Sequence, residues 1–190
     1  MFNLINGGII MKKVLQVVLI LLVVIIVGGI FFFKWVVNAN SIVHKSDERK
    51  LLSSNSDKKA LVIYQPSRTK LTSTMASSVA ETLHKSGYEV TINYPSQGLK
   101  YDISKYDVLV FGTPIYAGKY SQVLESYMKA IKDFSNKKVM IFSTGADNKV
   151  TKEVDPLVQM AKGAGKIKNI KLLKGETTRA ENAIKNLIGE

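Results

Sequence analysis

The residues best placed to do chemistry lie in a short polar stretch, Ser67-Arg68-Thr69-Lys70-Leu71-Thr72, between two apolar segments. The stretch carries three hydroxyl groups and two cations just before a helical pattern that begins at Thr72. At the start of a helix the backbone N–H groups are unpaired and the helix dipole is positive. Hydroxyls, N–H groups and positive charge together favour an anion, most readily phosphate. The stretch therefore predicts a phosphate site; a turn capped by Thr72 with solvated cations is the simpler alternative.

The segments on either side of this stretch must position it. Ala60–Tyr64 is apolar without alternation, which is typical of a strand covered on both faces in a parallel sheet. After the stretch, Met75, Val79 and Leu83 recur every four residues, which predicts a helix with one buried face. The polar stretch is thus the turn between a central strand and a helix.

Four further strands are predicted downstream, with helical segments between them. Residues 107–112 and 138–143 are continuous apolar runs, whereas residues 88–93 and 167–174 alternate apolar and polar side chains. Because alternating strands suit the edges of a sheet, the pattern predicts an α/β fold with a doubly wound, five-stranded parallel sheet in the order 2-1-3-4-5. In that order the chain reverses direction between strands one and three, and ligands bind outside their carboxyl ends.

A strand, the pattern Ser-Arg-Thr-x-x-Thr and a helix resemble the phosphate loop of the flavodoxin family, which binds flavin mononucleotide (FMN). Tyr106–Ile131 similarly resembles the family's third strand, its flavin-contacting loop and the following helix. The resemblance covers about Lys59–Glu190. One departure is that the family usually has Gly-Asn where this chain has Lys70-Leu71, and a side chain held at positive φ costs about 1–2 kcal/mol.

The resemblance implies that FMN lies against three loops. Its phosphate would be held by Ser67–Thr72, and its ring would lie along Thr113–Tyr120, with Tyr116 or Tyr120 stacked on the face; ordinary packing is the alternative for each tyrosine. Thr144–Ala146 would be the second ring-contacting loop. The predicted cofactor-binding residues are Ser67, Arg68, Thr69, Lys70, Leu71, Thr72, Thr113, Pro114, Ile115, Tyr116, Ala117, Gly118, Tyr120, Thr144, Gly145 and Ala146.

The N-terminal part of the chain has the composition of a membrane segment. Val14–Phe33 contains Gln16 as its one strongly polar residue, and as a helix it would span about 30 Å, one hydrocarbon thickness. A single transmembrane helix is therefore predicted for residues 14–37. A cleaved signal peptide is the alternative, but Phe31–Trp35 offers no small-residue cleavage site.

The flanks of this segment give opposite indications of its orientation. More basic residues lie after it than before it, which favours a cytoplasmic C-terminal domain. However, Met11-Lys12-Lys13 before one apolar segment is typical of a signal anchor that exports the domain behind it. The same motif predicts that translation begins at Met11, within an N-terminal segment of residues 1–13. The sequence thus predicts a single-pass cell-membrane protein and leaves the side of its domain open.

Residues 38–58 are polar with little periodicity and predict a linker to a domain of residues 59–190. The chain carries 27 Lys and Arg against 15 Asp and Glu, a net charge of +12. This charge favours contact with anionic lipid or an acidic partner, although solvated lysines account for it equally well. No nucleic-acid partner is predicted, because no aromatic platform or recognition helix accompanies the lysines.

The residue inventory also limits the chemistry. The chain has no cysteine and two histidines, which excludes disulfides and argues against a metal site built on His or Cys. Neither GxGxxG nor GxSxG is present, and no acid–base pair is placed for catalysis. No catalytic residue or metal ligand is therefore predicted, and any chemistry would be that of the cofactor.

The predicted function is a membrane-anchored, flavodoxin-like protein that binds FMN and passes electrons, as a carrier or as a reductase of a quinone-like acceptor. Its partners would be membrane lipid and either a redox partner protein or that acceptor. The alternative, from a different class, is a tethered binding or scaffold domain that holds no flavin. Lys70-Leu71, which replaces the family's usual pair, favours this alternative.

Overall fold

The computed structural model describes residues 2–52, 57–96, 98–147 and 152–190, and divides after Asn38 into two compact units. The first unit is one helix, α1 (Phe2–Asn38). Among the described residues it is the one helix long and apolar enough to cross a bilayer, and its apolar window is not buried. The predicted apolar N-terminal helix is therefore confirmed. Such a helix meets the requirements of a membrane anchor and of a signal sequence.

The second unit, residues 39–190, is an α/β sandwich around one sheet. From Lys59 onward its strands and α-helices alternate, as the change of period along the chain predicts, except between Asn93 and Val108, where a loop with one turn of 3-10 helix (Ile103–Lys105) joins two strands. In chain order the strands and α-helices are β1 (Arg49–Leu51), β2 (Lys59–Tyr64), α2 (Leu71–Lys85), β3 (Glu89–Asn93), β4 (Val108–Pro114), α3 (Gln122–Lys129), β5 (Lys138–Thr144), α4 (Asp155–Met160), β6 (Lys166–Leu172) and α5 (Thr177–Ile188).

The sheet has the order β1-β3-β2-β4-β5-β6. The five strands from β2 to β6 are parallel and adopt the predicted order, which confirms the doubly wound fold. The strand β1 was not predicted: it pairs antiparallel with β3, with Lys50 opposite Thr91, so β3 is not an edge. The pattern of side chains could not predict β1, because three residues are too few to show a period. Its pairing with β3 rests on backbone hydrogen bonds, which require no pattern of side chains. Part of the predicted 38–58 linker thus belongs to the sheet.

Side chains of the sheet alternate between two hydrophobic layers, as the pleat of a strand requires. Along β2, Val62 and Tyr64 lie in the layer covered by α2 and α5, whereas Leu61 and Ile63 lie in the layer covered by α3 and α4. The predicted face of α2, which includes Met75, Val79 and Ala80, is fully buried. Both faces of the central strands are therefore covered, and only their ends are open to a ligand.

Gly112, near the end of β4, lies in close contact with the neighbouring strand β5. It pairs with Phe142 of β5, and the ring of Phe142 occupies the place of a side chain on Gly112. A Cβ atom built at Gly112 would lie 2.3 Å from Cζ of Phe142. Only glycine allows this ring to pack across the strand pair.

We predict that Gly112→Ala lowers the free energy of unfolding by about 1–3 kcal/mol, because Phe142 is fully buried and must shift or strain the strands. Urea denaturation of the detergent-solubilised full chain measures the change. Gly98→Ala is the matched control, since a Cβ atom at Gly98 meets nothing within 4 Å. Equal midpoints for the two variants would contradict this account of the packing.

Candidate functional site

The polar stretch after β2 forms a tight turn at the N-terminus of α2. The N–H of Lys70 donates to the carbonyl of Ser67 at 3.1 Å, and the N–H of Thr72 donates to Oγ of Ser67 at 3.1 Å. The hydroxyls of Ser67 and Thr69 lie 3.4 Å apart. No acidic residue occupies the first turn of α2. Hydroxyls therefore gather at the positive end of a helix, an arrangement suited to an anion.

Lys70 is the N-cap of α2 and has the left-handed conformation, with φ of 61°. This is the position at which the flavodoxin family usually has glycine, which adopts that conformation without strain. Lysine pays about 1–2 kcal/mol for it. The backbone of the loop thus takes a shape that glycine would favour, and it does so while adding a cation at the mouth of the turn.

The loop after β4 turns back on itself at Tyr116–Lys119. The N–H of each of these two residues donates to the carbonyl of the other at 3.0 Å, and Ala117 and Gly118 between them both have positive φ. The hydroxyl of Tyr116 accepts a hydrogen bond of 2.8 Å from the N–H of Arg68. The Tyr116 side chain therefore joins this loop directly to the polar stretch after β2.

Two of the predicted threonines, Thr72 and Thr113, have no exposed surface. Thr72 is fully buried, and its hydroxyl lies 2.7 Å from that of Thr144 at the end of β5. Thr113 is also fully buried and accepts a hydrogen bond of 2.9 Å from the N–H of Ser121. Both hydroxyls connect elements of the scaffold: Thr72 joins α2 to β5, and Thr113 holds the return of the loop after β4.

A cavity of about 610 Å³ opens between these loops at the carboxyl edge of the sheet. This volume lies within the usual range of small-molecule sites, about 300–1,000 Å³. Nine predicted residues line it: Ser67, Thr69, Leu71, Pro114, Ile115, Tyr116, Thr144, Gly145 and Ala146. The structure therefore brings together parts of all three predicted loops.

The remaining predicted residues lie around the cavity without lining it. Besides the two buried threonines, they are Arg68, Lys70, Ala117, Gly118 and Tyr120. Tyr120 is half-buried against the apolar layer under α3, and burial, followed by the charge of Glu125, raises the pKa of its hydroxyl. Of the two tyrosines predicted for the ring, Tyr116 is the one that faces the cavity.

Sequence reasoning missed part of the wall. The turn between β6 and α5 contributes Lys174 and Gly175, the first residue of α5 contributes Thr177, and α2 contributes Thr74 and Met75. The turn carries no motif, but its position could have identified it, since the carboxyl end of β6 lies at the same edge as those of β2, β4 and β5. Lys174 adds a cation to a wall that contains five hydroxyl-bearing residues, Ser67, Thr69, Thr74, Thr144 and Thr177.

Comparisons with known proteins agree with this geometry. A family model described as a flavodoxin domain matches residues 61–182. An uncharacterized protein of Methanocaldococcus jannaschii is 33% identical over 86 residues, which are 45% of this chain and 53% of that protein. The chain thus matches about half the length of this relative.

Two solved flavodoxins have a similar fold. One is from Streptococcus pneumoniae, with a TM-score of 0.56 and 20% identity, covering 69% of this chain and 98% of that one. The other is oxidised flavodoxin 2 from Bacillus cereus, with a TM-score of 0.57 and 18% identity over 69% of this chain and 98% of that one. Identities this low bear on the fold alone. The family match and the arrangement of the three loops together show that the chain belongs to the flavodoxin domain family, which supports a flavin-binding, electron-transfer role in general.

Proposed function

We propose that this protein is a membrane-anchored flavodoxin that binds FMN and transfers electrons, as a carrier or as a reductase of a quinone-like acceptor. The observation that carries the proposal is the cavity at the carboxyl edge of the sheet. Three loops that the family resemblance assigned to FMN line it together, and its volume of about 610 Å³ suits a cofactor of this size.

The polar end of the cavity fits a phosphate. In our proposal the hydroxyls of Ser67 and Thr69 and the N-terminal turn of α2 hold the phosphate of FMN, and Lys70 and Lys174 supply positive charge. Lys70 then compensates in charge for the strain that it introduces at the position of the family's glycine. Thr72 acts from inside, because its hydroxyl binds Thr144 and keeps α2 against β5.

The apolar part of the cavity fits a ring. Pro114, Ile115 and Tyr116 line one side and Gly145 and Ala146 line another, so a flavin ring would be sheltered from water between the two loops. When bound, FMN supplies the electron-transfer chemistry. The protein binds and orients it; the predicted site residues include no acid–base pair.

One observation favours the flavin-free alternative. The N–H of Arg68 already donates to Tyr116, and the N–H of Thr72 already donates to Ser67. The N–H of Lys70 is likewise bonded to the carbonyl of Ser67, so three amides of the polar stretch are paired within the protein. A phosphate would have to use the remaining groups of the turn, or displace the hydroxyl of Tyr116. A tethered scaffold domain would keep these bonds, so binding of FMN decides between the two functions.

The anchor is the second part of the proposal. We propose a single-pass protein at the membrane, supported by the apolar helix α1, by the basic residues on both sides of residues 14–37 and by the net charge of +12. Its proposed partners are lipid and either a redox protein or a quinone-like acceptor. The flanking charges leave open the side of the membrane on which the domain lies.

We predict that the detergent-solubilised full chain forms a yellow complex with micromolar FMN and binds riboflavin much more weakly. The reason is that riboflavin lacks the phosphate that the turn before α2 is proposed to hold. Titration followed by flavin fluorescence measures both affinities. Thr69→Ala should weaken FMN binding and leave riboflavin binding unchanged, whereas Ser126→Ala, an exposed hydroxyl on α3, should change neither. The absence of an FMN complex would refute the redox function and favour the scaffold.

Lys70→Gly should change stability and binding in opposite directions. Glycine relieves the left-handed strain and should raise the free energy of unfolding by about 1 kcal/mol, after allowance for its greater freedom in the unfolded chain. Loss of the cation should weaken FMN binding and reduce its dependence on salt. Chemical denaturation and titration at two salt concentrations measure the two effects. Lys85→Gly, within the last turn of α2, is the control and should only destabilise.

We expect α1 to remain in the mature protein and to hold it in the membrane. Carbonate-washed membranes should retain the full chain, and its mass should include the apolar segment, because Phe31–Trp35 at the end of that segment offers no small-residue cleavage site. Protease added to intact cells and to inverted vesicles then reports the side of the domain. A shortened, soluble product would show that α1 is a signal peptide.

A further inference from the structure

The segment directly after α1 is built into the wall of the loop after β4. Ala39 and Asn40 are each 3% exposed and form one turn of 3-10 helix. Nδ2 of Asn40 donates to the carbonyl of Lys119 at 2.6 Å. The carbonyl of Asn40 accepts from Oγ of Ser121 at 3.0 Å. One residue from the predicted linker thus holds the returning end of this loop at two points.

The same segment is tied to Gln65, which lies between the end of β2 and the polar stretch. Gln65 is fully buried, and its Nε2 donates to the carbonyls of Ala39 at 3.3 Å and Ile42 at 3.0 Å. The N–H of Gln65 donates to the carbonyl of Gly112 in β4 at 2.9 Å. The segment is therefore hydrogen-bonded both to the residue that follows β2 and to the loop that follows β4.

The bond from Asn40 supports a strained turn. The carbonyl of Lys119 accepts hydrogen bonds from the side chain of Asn40 and from the N–H of Tyr116. Ala117, which lies between Tyr116 and Lys119 in the chain, has φ of 51°. An alanine in that conformation needs support from its surroundings. Tyr116 in turn accepts from the N–H of Arg68. Hydrogen bonds thus run from Asn40 through the turn to the proposed phosphate loop.

We propose that Asn40 is a positioning residue of the flavin site: its side-chain amide holds the Tyr116–Lys119 turn in the shape that meets the cofactor. The identity of the ligand, FMN, rests on the proposed function, whereas the role of Asn40 in the turn rests on the observed hydrogen bonds. It assigns the first residues after α1 to the site, in place of the tether that their polar composition predicts. Asn40 acts through the turn and is not itself a residue of the cavity wall.

The test is Asn40→Asp in the full chain in detergent micelles. The substitution keeps the shape of the side chain and replaces the N–H donor with a carboxylate, which cannot donate to the carbonyl of Lys119. FMN should then bind about tenfold more weakly at about pH 8. The defect should shrink as the pH falls toward about 5, because the protonated carboxyl regains a donor; burial raises the pKa of such a group.

Two controls separate positioning from general destabilisation. Thr82→Val removes a buried hydroxyl in the C-terminal half of α2 that donates to the carbonyl of Ser78. This variant should be less stable than the wild type but should not show the pH-dependent loss of FMN affinity. Asn182→Ala, at an exposed position of α5, should change nothing. If Asn40→Asp binds FMN within twofold of the wild type at both pH values, the inference is overturned.

Hydrogen exchange of the apo protein provides a readout that does not depend on flavin. The peptide covering residues 113–121 should exchange faster in Asn40→Asp than in the wild type at about pH 8, and the difference should shrink toward about pH 5. If the wild type binds no FMN, the proposed function fails, and exchange alone decides whether Asn40 supports the turn. Equal exchange in the two proteins would overturn the inference whatever the flavin result.

Discussion

The constraint on which the rest of this structure depends is the parallel, in-register pairing of β2, β4 and β5. Tyr64 lies opposite Gly112, and Pro114 lies opposite Thr144, so the three strands end at one edge. Each strand leaves the sheet there with its carboxyl end open, and the loops after the strands start side by side. Residues far apart in the chain thus meet in one cavity because the sheet brings them there.

Hydrogen bonds within the protein then shape that edge. The hydroxyls of Thr72 and Thr144 join α2 to β5. The bond from Arg68 to Tyr116 joins the loops after β2 and β4, and the side chain of Asn40 is bonded to the loop after β4. Buried hydroxyl and amide groups are costly unless they are paired. The hydroxyls of Thr72 and Thr144 and the side-chain N–H of Asn40 are paired across elements, whereas Oδ1 of Asn40 and Oε1 of Gln65 have no protein partner among the described residues. A ligand would therefore enter a cavity whose loops are already connected, and FMN would not have to assemble it.

The outer strand β6 shows how tertiary contacts override a local pattern. Alternation in residues 167–174 predicts a half-exposed strand with its lysines in solvent. Lys171 is instead buried, with its Nζ 2.6 Å from a carboxylate oxygen of Glu153 and both side chains at most 10% exposed. A lysine takes such a position when a partner from elsewhere in the chain neutralises it. Nothing in the spacing of the β6 residues indicates Glu153, which lies on a connecting turn of 3-10 helix.

By itself the sequence determined the apolar N-terminal helix, the strand order from β2 to β6 and the three loops that meet at the cavity. Each depends on local period or on short motifs, which the order of residues carries directly. Only the tertiary structure decided that Thr72 and Thr113 point into the scaffold, that Lys174, Gly175 and Thr177 line the cavity and that β1 and Asn40 belong to the domain. These features depend on partners distant in the chain or on the meeting of strand ends, and no local pattern encodes such contacts.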